Sequence, residues 1–174
     1  MIFTCNTAEL HKAVQTVMSA IPSKPSTPIF GGLHLIADHG VIELQGMDIS
    51  MAMSFKIKGD IKEPGEILLA ATRFAELVKN MNGETLSLSR KEEENSVRLQ
   101  SGKADFKILL MNVADYPKFP DFNADKTFTL ADETVKELFK KTAFACSNDA
   151  ARPLFTGVLC ELSEGKITFV GTNT

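Results

Sequence analysis

The sequence is poor in the groups that carry chemistry. Its 174 residues hold three cysteines (Cys5, Cys146, Cys160) and three histidines (His11, His34, His39). The cysteines lack metal-ligand spacing, and Cys5 and Cys160 fall in predicted strands, where free thiols are expected to be buried. The histidines fall on the polar side of a helix, in mid-strand and in a turn, with no Cys/His or Ser/His/Asp arrangement near them. No glycine-rich phosphate loop occurs. The expectation is a non-enzyme with no metal and no cofactor. No apolar run approaches the ~20 residues of a membrane span. The N-terminus lacks the basic, apolar and small-residue order of an export signal, which predicts a cytosolic protein that keeps off membranes. The net charge is only −3, which by itself argues weakly against nucleic acid but says nothing of how charge is distributed.

What is present is a repeat. Pro28-Ile29-Phe30-Gly31-Gly32-Leu33 returns as Pro153-Leu154-Phe155-Thr156-Gly157-Val158, a shift of 125 positions. At the same shift Phe3-Thr4 returns as Phe128-Thr129, Gly40-Val41-Ile42 as Gly165-Lys166-Ile167, and Gly46-Met47-Asp48 as Gly171-Thr172-Asn173. The second copy runs only from 126 to 174. A duplicated domain is expected, and the sequence reads as a piece of a longer protein.

Periodicity gives the elements. Met1 to Cys5 reads as a strand, and Asn6 with Glu9 three residues on forms a capping-box pattern. Leu10, Val14, Val17, Met18 and Ile21 recur at helical spacing until Pro22 and Pro25. Alternation marks strands around Leu33–Ala37, Ile42–Leu44, Met51–Ile57 and Glu66–Ala70. A second helix is expected from Thr72 to Met81, stopped by Asn82-Gly83. Strands at 85–89, 96–100 and 104–111 follow, and Lys91–Asn95 reads as a solvated hairpin tip. Asn112 to Asp125, with Pro117 and Pro120, is the linker candidate. The order then restarts: a strand at Phe128 and Leu130, a helix with Val135, Leu138, Phe139 and Thr142 on one face, and strands Thr156–Leu162 and Lys166–Gly171. Eight strands and two helices in the first copy predict an α+β fold, with both helices on one side of the sheet and water on the other.

Charge on the helices has two readings. Lys12, Arg73, Lys79, Lys136, Lys140 and Lys141 face Glu9, Glu76, Asp132, Glu133 and Glu137, while the rest of the chain is acidic. This is either ordinary dipole complementarity or a basic surface that follows a phosphate backbone without reading bases. Lys24, in a proline-stiffened loop, is either a solvated lysine or a cation presented to phosphate.

Several segments together resemble the bacterial sliding clamp, the beta subunit of DNA polymerase III. They are Met1-Ile2-Phe3-Thr4, Lys24-Pro25-Ser26-Thr27-Pro28-Ile29, Thr72-Arg73-Phe74, Ser101-Gly102-Lys103-Ala104-Asp105-Phe106, Asp115-Tyr116-Pro117, Arg152 to Val158, and Val170-Gly171-Thr172-Asn173-Thr174. The resemblance implies the DNA-clamp fold, with 1–120 as the first domain and 121–174 as the start of the central one. It implies a processivity factor of the replicative polymerase: three domains per subunit, two subunits in a homodimer ring, helices lining a hole threaded by double-stranded DNA. It also implies docking of the polymerase catalytic subunit, the clamp loader and repair proteins through short linear peptides. By position, Lys24 (where the family commonly has Arg) and Arg73 are implied DNA contacts, with Lys12, Lys79, Asn148 and Asp149 beside them. Arg152, Phe155, Thr172, Asn173 and Thr174 are implied contributors to the peptide cleft. Phe106 and Ile108 are implied at the subunit interface. The alternative is a duplicated peptide-binding scaffold that does not bind DNA.

Overall fold

The computed structural model describes residues 1–91, 94–120, 127–163 and 165–174, in two units, Met1–Asp121 and Phe122–Thr174. In the first unit β1 (Ile2–Asn6) runs directly into α1 (Thr7–Met18). Asn6 keeps an extended backbone, and its Oδ1 accepts from the Glu9 amide at 3.0 Å. That bond satisfies one of the amides a helix start leaves free. Leu10, Ala13, Val14 and Val17 then recur on one buried stripe. The helix stops at Met18, so Ile21 is buried in the turn after it rather than in the helix.

Five strands follow: β2 (Gly32–Asp38), β3 (Val41–Met47), β4 (Ala52–Lys58), β5 (Asp60–Glu63) and β6 (Gly65–Ala70). Then come α2 (Ala71–Lys79), β7 (Thr85–Ser89), β8 (Ser96–Ser101) and β9 (Ala104–Met111). α2 ends at Lys79 and is capped at Asn80, before the expected Asn82-Gly83 stop. The strands form one antiparallel sheet in the order β4-β3-β2-β6-β9-β8-β7-β1-β5. There are nine where alternation predicts eight. The missed strand, β5, holds Ile61 among Asp60, Lys62 and Glu63 and gains its place by pairing with β1 at the sheet edge. A short, charged edge strand has no alternating pattern to detect. β9 joins the two halves: Ala104–Leu109 pair with β8, and only Leu110 and Met111 pair with β6.

Both helices lie on one face. α1 packs on α2, β3 and β4, and α2 packs on β6. Beneath them Phe3, Leu33, Leu35, Ile42, Leu44, Ile67, Leu69, Phe74, Leu86 and Leu88 are fully buried. Cys5 shares this core, and burial, with Glu9 nearby, pushes its thiol up to about 12.

The opposite face departs from expectation, because part of it is covered. Met47, Leu68 and Tyr116 are buried there, with Ile29, Phe30, Ala52, Met111, Val113 and Phe119 packed around them. The cover is the stretch read as linker. A 3-10 turn at Val113–Asp115, opened by Asn112 Oδ1 accepting from the Ala114 amide, sets Tyr116 onto His34, with ring centroids 5.4 Å apart. His34 is buried as well, its Nδ1 3.1 Å from Gln45 Oε1 and its Nε2 2.9 Å from Glu66 Oε2. The rest of the linker candidate, 121–126, lies outside the described residues, as do Glu92 and Glu93 of the expected hairpin tip.

The second unit repeats the register. α3 (Asp132–Thr142), the 3-10 turn Pro153–Phe155 and β11 (Lys166–Val170) each begin 125 positions after α1, the 3-10 turn Pro28–Gly31 and β3. β10 (Leu159–Ser163) pairs with β11. A repeated glycine shows why the register is kept. A Cβ on Gly46 would sit 2.7 Å from both Val17 Cγ1 and Ile21 Cγ1. On Gly171 it would run into the Thr142 carbonyl and touch Cys146 Sγ. Thr142 and Cys146 are the 125-shifted counterparts of Val17 and Ile21. In both units a helix approaches a strand so closely that only hydrogen fits.

Three expectations fail in this unit. Phe128 and Leu130 form no strand, since β10 and β11 pair only with each other and offer that segment no ladder. The strand expected from Thr156 begins at Leu159, because Pro153 starts a 3-10 turn that Thr156 caps. Cys160 is exposed, because nothing among the described residues covers its face of β10.

Candidate nucleic-acid interface and partner-docking surface

Helix packing puts one of the expected cations, Lys79, at a groove between the two helices, and leaves the others exposed. A groove of about 430 Å³ between α1 and α2 is lined by His11, Val14, Gln15, Met18, Thr72, Ala75, Glu76 and Lys79. Lys12 and Arg73 are exposed and adjoin His11 and Thr72 in the chain. Lys79 sits in the last turn of α2, where the helix dipole favours a cation. Lys24 is exposed in the loop after α1. Among the described residues none of these four makes an ion pair; on the first unit's strands Lys56, Arg98 and Lys107 pair with Glu43, Asp105 and Glu94, while Lys58 and Lys62 do not pair. Unpaired, exposed cations are free to meet phosphate. On α3, by contrast, Lys136 and Lys141 pair with Glu133 and Glu137, and Lys141 holds the Glu137 carboxyl below its ordinary range.

In the second unit Arg152 gathers the expected docking residues. Its Nε donates to Asp149 Oδ2 at 3.3 Å, its Nη1 donates to the Asn173 carbonyl at 3.3 Å, and its guanidinium lies 6.0 Å from the Phe155 ring centroid. That last distance is at the outer limit of a cation–π contact. The Phe155 carbonyl accepts from the Ser147 amide at 2.8 Å, tying the loop to the 3-10 turn. The Thr172 hydroxyl donates to the Thr174 carbonyl at 2.8 Å. Asp149, expected at DNA, therefore has its carboxylate on Arg152, while Asn148 beside it is exposed. Sequence reasoning missed Leu154, which is 92% exposed on the same turn. Its counterpart Ile29 packs in the outer cluster of the first unit, so the 125-residue shift carried the signal.

At the third expected site the two residues part. Phe106 is 37% exposed, but Ile108 is 5% exposed and belongs to the core, leaving no side-chain surface for a partner. Alternation gives the two residues one face but not the depth of each. Leu109, 73% exposed, is the large apolar side chain that β9 presents.

Two helices on one face of an antiparallel sheet, with the register begun again 125 residues on, make the α+β fold of DNA sliding clamps. Residues 1–120 match the family model for the DNA polymerase III beta subunit, N-terminal domain, and the chain belongs to that family. The beta sliding clamp of Bacillus subtilis is 28% identical over 182 residues, covering 100% of this chain and 48% of the relative. That of Escherichia coli K12 is 28% identical over 175 residues, covering 99% and 47%. The chain thus spans about half the length of these curated relatives. Among solved structures, the DNA polymerase sliding clamp of Bacillus subtilis superposes with a TM-score of 0.92 at 26% identity, covering 99% of this chain and 47% of that one. The beta subunit from Streptococcus pyogenes gives 0.91 at 26%, with the same coverage.

Proposed function

We propose that the chain is part of a processivity clamp, a two-subunit ring that encircles duplex DNA and slides on it without sequence preference. In this reading residues 1–120 are the first of three domains and 121–174 begin the central one. The clamp performs no chemistry and holds the polymerase catalytic subunit, the clamp loader and repair proteins through short linear peptides. The observation that supports the DNA reading is that Lys12, Arg73 and Lys79 on the two helices, and Lys24 in the loop after α1, are all exposed. Lys24, Arg73, Lys12 and Lys79 supply mobile, sequence-blind contacts to phosphate, directly or through water. Asn148 supplies a neutral contact in the second unit, and Asp149 holds Arg152 in place. Phe155, Arg152 and the Thr172–Thr174 segment form part of the peptide-docking surface. The subunit contact uses Phe106 and Leu109, supported by the β6-side edge of β9, which is unpaired over Ala104–Leu109 among the described residues.

The test is charge reversal at Lys24 and Arg73 in the assembled ring. DNA affinity is expected to fall, and the log–log salt slope to flatten by about 0.9 for each phosphate no longer neutralised. Retention on circular duplex should shorten in parallel. If affinity and slope are unchanged while Phe155→Ala still weakens peptide binding, the chain is a peptide scaffold and the DNA reading fails.

A further inference from the structure

Two cavities lie along the seam between α1 and α2. The groove of about 430 Å³ takes His11, Gln15 and Met18 from α1 and Thr72, Glu76 and Lys79 from α2. Within each helix these residues recur at intervals of three or four, so each turns one row of side chains along the groove. The second cavity, of about 360 Å³, joins the start of α1 to the end of α2 and extends to Asn82, Gly83 and Glu84. His11 and Lys79 are the two residues that line both, one from each helix. His11 is half-buried and Lys79 is exposed. The other two histidines meet carboxylates, His34 at Glu66 and His39 at Asp38, whereas among the described residues His11 pairs with none. The nearby backbone is largely engaged: the Thr7 amide donates to the Glu84 carbonyl and the Glu9 amide to Asn6 Oδ1, each at 3.0 Å. An anion at this boundary would therefore be met by the two side chains. The charged groups around the ring are Glu76 and Lys79 from α2, Glu84 from the segment after it, and Glu9 and Lys12 on α1 itself. β1, β3 and β4 also pack on α1, but no titratable side chain of theirs lines either cavity.

We propose that His11 and Lys79 form a proton-dependent contact to one phosphate of the DNA backbone. This rests on the DNA reading of the helix face and adds to it a residue and a condition. With a neutral ring, Lys79 meets the phosphate alone. A histidine side chain takes up a proton between about pH 5 and 8, and the imidazolium then brings a second cation to the phosphate from the facing helix. Each further phosphate charge neutralised steepens the log–log salt dependence by about 0.9. The hold on the duplex is thereby graded by pH without any contact to a base.

The test titrates the assembled full-length ring with a rhodamine-labelled linear duplex at about pH 5.5 and about pH 8, each over a salt series. At about 0.1 M salt the unsubstituted ring is expected to bind roughly five- to tenfold more tightly at the lower pH, with a salt slope steeper by about 0.9. His11→Gln should lose both changes, and His11→Lys should show the tighter binding and the steeper slope at both pH values. His39→Gln, which alters an exposed turn outside this seam, should leave the pH response as it was. An equal pH response in His11→Gln and the unsubstituted ring overturns the proposal, as does a His11→Lys ring that binds no more tightly than the unsubstituted one at about pH 8. If charge reversal at Lys24 and Arg73 still weakens binding while the His11 variants change nothing, this inference fails and the DNA reading stands. If duplex binding ignores all of these substitutions, both fail.

Discussion

The same helix, 3-10 turn and hairpin occur twice in this chain with unequal burial. In the first unit Leu10, Leu35 and Leu44 are fully buried; their counterparts Val135, Cys160 and Phe169 are partly or largely exposed. Backbone register is common to both copies, while burial depends on what else is packed there. The first unit has α2 and seven further strands to close over its core, whereas the 174-residue chain carries the second copy only over 126–174, one α-helix and one hairpin among the described residues, and spans about half the length of its relatives. The second has one aromatic contact of note, Phe139 edge-on to Phe169 at 5.1 Å between centroids. Local pattern therefore specifies an element, and neighbouring elements decide how much apolar area it removes from water.

Equivalent substitutions break this comparison most sharply. Leu10→Ala is expected to cost about 2–5 kcal/mol in urea unfolding, whereas in the 174-residue chain Val135→Ala costs about 1 kcal/mol or less, because Val135 is only half-buried there. Equal losses would refute the unequal packing. The glycines test what the copies share. Gly46→Ala and Gly171→Ala should each destabilise their own unit by about 1–3 kcal/mol, read by hydrogen exchange on α1 and α3. A neutral result at either would mean the helix can retreat from the strand. The caps come next in size. Asn6→Ala should cost about 1 kcal/mol. Ala131, which caps α3 without a side-chain bond, should yield a gain of similar or smaller size when replaced by Asn.

Two pH effects follow. The folded state holds the Tyr116 proton up to about 12, while an unfolded tyrosine releases it near 10. Between those values the native state binds more protons than the unfolded one, so stability falls as pH rises through that window. With one tyrosine and no tryptophan, phenolate absorbance follows this directly. Tyr116→Phe should remove the tyrosine's share of the alkaline loss and leave that of the buried Cys5 thiol, which is also pushed up to about 12. A wild-type phenolate midpoint near 10 would show that Tyr116 is not packed on the sheet. The smallest effect is expected in acid. Asp105 is held below its ordinary range by Arg98, and Glu137 by Lys141, so each contributes stability above the unfolded carboxylate range that is lost as pH falls through its lowered value. Both pairs are exposed, so raising the salt concentration should nearly abolish their contribution. A salt-insensitive acid limb would point to other groups.

Much of the fold is legible in the residues. Asn6 with Glu9 locates the start of α1, and apolar spacing locates the stripe of Leu10, Val14 and Val17, because capping and amphipathicity are local. The 125-residue shift locates the start of α3 and the 3-10 turn at Pro153. β5 is not legible, since an edge strand of three charged residues and one isoleucine exists only through its partner β1. Nor is the covered outer face: His34, Met47 and Leu68 meet Tyr116 across long stretches of chain. At the candidate sites, residue types are legible and engagement is not. Asp149 and Arg152 can be named from sequence, but only the folded chain joins them, and Phe106 and Ile108 share a strand face yet differ in depth.

Residue order, spacing and local hydrogen bonding are enough to set the duplication, its register, the helix starts and the family. That Val113, Tyr116 and Phe119 cover the outer face of the first unit is settled only by packing in three dimensions. That outcome depends on whether a distant apolar segment reaches the surface and displaces its water, and no local pattern records it.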